Sequence, residues 1–67
     1  MNVTCKIFPQ YKWVNVNRDN MFIAKVSPGK DGEPVLSVYG RKSDGRRDLT
    51  FNDLEIIMDN WNRMNEN

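Results

Sequence analysis

The chain has 67 residues, a net charge of +1, one cysteine and no histidine. That length gives one small domain, residues 1–67, and a single cysteine with no histidine removes most metal and disulfide schemes, since a structural zinc site needs about four Cys or His ligands. At this size, apolar burial at roughly 25 cal/mol per Å² barely exceeds the conformational entropy lost, so the fold needs dense packing or a partner chain.

Residues 3–8, VTCKIF, are β-branched and aromatic and read as a strand stopped by Pro9. KWVNV, residues 12–16, alternates with period two, and NRDN, residues 17–20, is turn chemistry because Asn and Asp tolerate left-handed backbone. MFIAKV, residues 21–26, is a strand; SPGKDGE, residues 27–33, is a loop; PVLSVYG, residues 34–40, is a strand; RKSDGRRD, residues 41–48, is a basic connection. Thr50 then caps a helix, with Asp53 three residues on as an acidic form of the capping box. Phe51, Leu54, Ile57, Met58 and Trp61 recur at helical spacing as one apolar stripe, and residues 62–67 are expected to fray. Asp53, Glu55 and Asp59 fall off that stripe and are expected on a solvated face. The expected fold is α+β: an antiparallel sheet of three or four strands packed on one C-terminal helix.

Strand parity sorts the two sheet faces. Val14, Val16, Phe22, Ala24, Val26, Leu36 and Val38 form the expected core face. The other face holds Tyr11, Trp13, Asn15 and Asn17, then Met21, Ile23 and Lys25, then Val35, Ser37, Tyr39 and Arg41. Charge is uneven along the chain. Residues 1–47 hold nine Lys and Arg against four acids, a balance of +5, whereas residues 48–67 hold Arg63 against five acids, a balance of −4. Such asymmetry points to a charged partner.

Rings interleaved with Lys, Arg and Asn suit nucleic acid, because rings stack on exposed bases, cations neutralise phosphates, and Asn or Arg reads base edges. The candidate contacts are Lys12, Trp13, Asn15, Arg18, Lys25, Tyr39 and Arg41, extended by Lys42, Arg46 and Arg47 in the 40–47 loop. The favoured partner is therefore DNA, duplex or single-stranded, bound by a regulatory module. With no histidine, a lone Cys5 without an evident base and no carboxylate pair in a pocket, no catalytic set assembles, and neither cofactor nor metal is expected. The alternative is a protein-binding module, such as a small inhibitor or an obligate homodimer, using the same aromatic-rich face. Cys5 is expected to act as a small buried hydrophobe, which fits a reduced, intracellular and cytoplasmic setting. No apolar run reaches the ~20 residues of a membrane helix, and Lys6 and Pro9 break the only apolar stretch that could resemble a signal peptide.

YKWVNVNRDNMFIAKV, residues 11–26, resembles the first two strands of the plant ethylene-response-factor type of DNA-binding domain and the related arm-binding domain of phage and transposon integrases. Tyr11, Lys12 and Val14 match the family's opening, Arg18 sits in its basic turn, and Phe22, Ala24 and Val26 match its second strand. The resemblance implies a three-stranded sheet backed by a helix and laid in the major groove, with DNA contacts from Lys12, Arg18 and Lys25, and it implies a phage or mobile-element context. Residues 34–61 are similar, more loosely, to the second half of the dimeric single-strand-binding transcriptional coactivators, which run strand, basic Gly loop and helix.

Overall fold

The computed structural model describes residues 2–40 and 45–66, with only the backbone of Arg46. Arg41 and Lys42 lie outside the described residues. Four antiparallel strands, β1 (Thr4–Phe8), β2 (Trp13–Arg18), β3 (Met21–Pro28) and β4 (Pro34–Val38), form one sheet in chain order. A 3₁₀ turn, Gly45–Arg47, leads to a single helix, α1 (Phe51–Met64). This is the expected α+β arrangement. No helix among the described residues is long and apolar enough to cross a membrane.

The β2–β3 hairpin closes on Asp19 and Asn20, whose φ values of 51° and 63° place both in the left-handed region. A two-residue turn with both central residues left-handed matches the twist of the strands it joins, and Asp and Asn tolerate that backbone. The same hairpin contains the main departure from simple alternation. Val16 pairs with Ala24, but Asn17 pairs with Phe22, so Ile23 is an extra residue in β3. Such a bulge switches the strand's parity. Ile23 and Ala24 are both buried, whereas Phe22 turns to the opposite face and is 44% exposed. The expected assignments of Phe22 to the core and Ile23 to the mixed face are therefore reversed. The Ile23 carbonyl still accepts the Tyr39 N–H at 2.7 Å, so the bulge does not break the bond to the chain following β4.

The core is Val3, Val14, Val16, Ile23, Ala24, Val26 and Ile57, with Cys5, Ile7, Leu36, Leu49, Leu54, Ile56, Trp61 and Met64 packed around it, whereas Val38, expected in the core, is 40% exposed on the edge strand β4. Half-buried Cys5 takes its place in that packing, and burial pushes its thiol up from the ordinary value. The helix runs further than expected: it continues to Met64, which packs on the core, and the Asn65 N–H returns to the Trp61 and Asn62 carbonyls. Its inward side also differs, since Ile56 and Met64 face the core while Phe51 and Met58 are 91% and 63% exposed.

Asp53 is not solvated. It is buried at the first turn of α1, where its backbone N–H donates to Thr50 Oγ1 and its Oδ2 accepts the Thr50 N–H, each at 3.0 Å. The capping box is thus complete. The Val3 N–H donates to Asp53 Oδ1 at 3.4 Å, and the Arg18 guanidinium forms an ion pair with Oδ2. Burial alone would raise the Asp53 pKa, but the bonds from Thr50, Arg18 and Val3 outweigh it and hold the carboxyl below its ordinary value of 3.8.

Two measurements check this account. Folding lowers the Asp53 pKa, so its contribution is complete above the ordinary value and lost as pH falls through the lowered, folded one. Asp53→Asn is expected to cost about 3–5 kcal/mol at neutral pH, because it leaves the Arg18 charge beside a neutral group, and to flatten the acid limb of stability. Urea melts of both proteins at neutral and acid pH read this directly. For the bulge, Ile23→Ala is expected to cost about 2–5 kcal/mol, and Phe22→Ala roughly 1 kcal/mol or less. A larger loss at Phe22 would mean that the strand keeps unbroken alternation.

Candidate functional site

The β1–β2 pairing sets Lys6 opposite Asn15 and Phe8 opposite Trp13, which places Thr4, Lys6 and Phe8 on the face away from α1. β1 therefore widens the open face as an edge strand and does not roof it. Across the four strands this outer face comprises Thr4, Lys6 and Phe8, then Trp13, Asn15 and Asn17, then Phe22, Lys25 and Ser27, then Val35 and Ser37, with Tyr39 just beyond β4. No carboxylate stands among them. Lys6, Asn15, Lys25 and Ser37 are in register and make one polar, cationic row.

A ring cluster stands at each end of that row. At one end Tyr11 stacks on Trp13 at 4.7 Å, and Phe8 meets the indole edge-on at 6.4 Å. Lys25 Nζ lies 4.5 Å from the centre of the Trp13 ring, and Lys6 Nζ lies 5.5 Å from that of Phe8. Trp13 is consequently half-buried, held by Tyr11 and Lys25, and its buried Nε1 has no acceptor among the described residues. At the other end Phe22 and Tyr39 stack at 5.3 Å and remain 44% and 43% exposed. Four residues of β2 separate the two clusters, about 13 Å at strand rise.

The expected site residues thus divide. Trp13, Asn15, Lys25 and Tyr39 come together on the outer face. Lys12 is exposed at its rim, in the β1–β2 turn, with φ of 62°. Arg18 lies on the helix side, where it donates to the Asp48 carbonyl and pairs with Asp53. Arg47 folds back on the Gly40 carbonyl at 3.2 Å. Arg41, Lys42 and the Arg46 side chain fall outside the described residues. Lys6, Phe8 and Phe22 join the face without having been singled out. Sorting VTCKIF by parity would have found the first two; the bulge hid the third.

No family model, curated protein or solved structure matches the chain. Among the described residues no group of three or more Cys, Asp or Glu is placed to hold a metal.

The Trp13 environment makes a simple test. Trp13→Phe keeps a ring against Tyr11 and Lys25 and removes an N–H without an acceptor, so stability should change by less than about 1 kcal/mol. Trp13→Ala should cost about 3 kcal/mol. Equal losses in thermal or urea melts would show that the indole N–H is bonded in solution.

Proposed function

We propose that this chain is a non-enzymatic nucleic-acid-binding module whose contact surface is the outer sheet face. The observation that carries the reading is the carboxylate-free row Lys6–Asn15–Lys25–Ser37 with the stacked Phe22–Tyr39 pair exposed at its end. Lys6 and Lys25, joined by Lys12 at the rim, neutralise backbone phosphates, and Asn15 between them offers a donor and an acceptor to base edges. The Phe22 and Tyr39 rings provide the stacking surface, while Trp13, already occupied by Tyr11 and Lys25, braces the lysine. Exposed rings favour unpaired bases, since a duplex hides its base faces within the stack, so single-stranded DNA or RNA is the better fit than a major groove. The acids of the last third sit with α1 on the other side, which orients the charge of the molecule toward a polyanion.

Fluorescence anisotropy with single-stranded and duplex oligonucleotides over a salt series tests this. Single strands should bind more tightly, and affinity should fall with salt. Lys6→Ala and Lys25→Ala should each reduce the slope of log K against log salt by about one. Phe22→Ala or Tyr39→Ala should weaken single-strand binding by about 1–3 kcal/mol and leave the slope unchanged. Absence of salt-dependent binding at concentrations up to about 0.1 mM would refute the proposal.

A further inference from the structure

The two edges of the sheet are unlike. β1 carries Lys6 at its middle, and a charged side chain there guards an edge strand against the addition of another strand. β4 has no such guard. Residues 34–40, PVLSVYG, hold no charged side chain, and Val35, Val38 and Tyr39 are 46%, 40% and 43% exposed. Among the described residues β3 is the only strand paired with β4.

The free edge has a defined hydrogen-bonding pattern. The Gly29 N–H donates to the Glu33 carbonyl and the Tyr39 N–H donates to the Ile23 carbonyl, each at 2.7 Å. Antiparallel bonding alternates along a strand, so residues 33, 35, 37 and 39 turn their backbone groups toward β3. Leu36 and Val38 therefore turn theirs off the sheet, each offering one donor and one acceptor. Pro34 has no N–H and limits pairing at one end of this window. At the other end Gly40, with φ of 107°, leaves the extended conformation.

The order of residues selects the occupant, because the segment 35–39 is complementary to itself. Two antiparallel copies related by an axis at Ser37 set Leu36 of each opposite Val38 of the other. The four resulting bonds use every outward N–H and C=O of Leu36 and Val38 in both strands. Val35 of each copy then faces Tyr39 of the other, a β-branched residue against a ring, so the exposed apolar side chains meet one another. Neighbouring registers do worse. An axis at Leu36 sets Val38 opposite Pro34 and leaves the Val38 carbonyl without a donor, and an axis at Val38 sets Leu36 opposite the turned Gly40. We infer that two copies of this chain join β4 to β4 about Ser37, making one eight-stranded sheet. The contact is isologous and closes at two copies, since the β1 edges left outside are guarded by Lys6. In this register the row Lys6–Asn15–Lys25–Ser37 continues into Ser37–Lys25–Asn15–Lys6 of the second copy, about 34 Å in all at strand spacing. The pairing goes beyond the nucleic-acid reading and holds whether or not that row meets a polyanion.

Sedimentation equilibrium of the full chain up to about 1 mM, the range of small interfaces, should show a monomer–dimer equilibrium with no larger species. Hydrogen exchange followed by NMR over the same range reads the edge itself. The Leu36 and Val38 amides should become protected as concentration rises, while the Ser37 amide is protected throughout. Ser37→Lys and Ser37→Glu each set like charges across the axis and should weaken dimerisation at least about ten-fold. An equimolar mixture of the two variants should restore association as a heterodimer. Wild-type amide shifts in β1, β2 and α1 show that each variant is folded, and the exchange measurement needs no variant. A monomer at every concentration, concentration-independent exchange at Leu36 and Val38, a dimer untouched by Ser37→Lys, or a mixture that stays monomeric would each overturn the inference.

Discussion

One carboxylate joins the parts of this molecule that are far apart in sequence. Asp53 is held by its own helix cap at Thr50, by the start of the chain at Val3 and by the end of β2 at Arg18. The sheet alone is a ribbon of successive hairpins, and such ribbons gain independent stability only when one face is covered. α1 covers part of it, and Asp53 fixes where its first turn sits. A charge so placed is costly to bury, and it is tolerated because each of its oxygens has a partner and because the helix dipole at that end favours it.

That arrangement explains which parts of the fold could be read from the chain itself. The alternation in residues 12–16, the Asp19–Asn20 turn and the Thr50–Asp53 cap are local signals, and each appears where its chemistry requires. The bulge at Ile23 is different. Nothing in MFIAKV announces it, because Phe and Ile are equally at home on a buried strand face; only the pairing with β2 decides between them. Arg18 and Asp53 were misplaced for a related reason. Each reads as a solvated charge on its own, and burial becomes acceptable only once two positions 35 apart in sequence meet. The last turn likewise holds, despite the weak helix propensity of Asn60 and Asn62, through the contact of Met64 with the core.

The candidate site follows the same division. Its cations and rings were legible as a composition, but their order on the face was not. Parity in β1 brings in Lys6 and Phe8, and the bulge brings in Phe22, so the face is broader than the β2–β4 meander suggests. Conversely, the two arginines expected to serve it and described with their side chains, Arg18 and Arg47, are turned to backbone carbonyls, Arg18 to the Asp53 carboxylate as well. The outcome is a molecule with unlike sides: a cationic, ring-bearing sheet surface in front, and behind it an apolar core closed by the helix.

The strict chain order of the strands carries a further consequence. Every pairing in the sheet joins neighbours, β1 with β2, β2 with β3 and β3 with β4, so the meander can assemble by zipping from any of its turns. Only the docking of the helix demands that remote stretches find each other, and it meets the strands that form the first hairpin, β1 and β2. A ribosome releasing this chain would thus expose the meander before the helix that covers it emerges. During that interval the apolar side of the sheet stands without its cover.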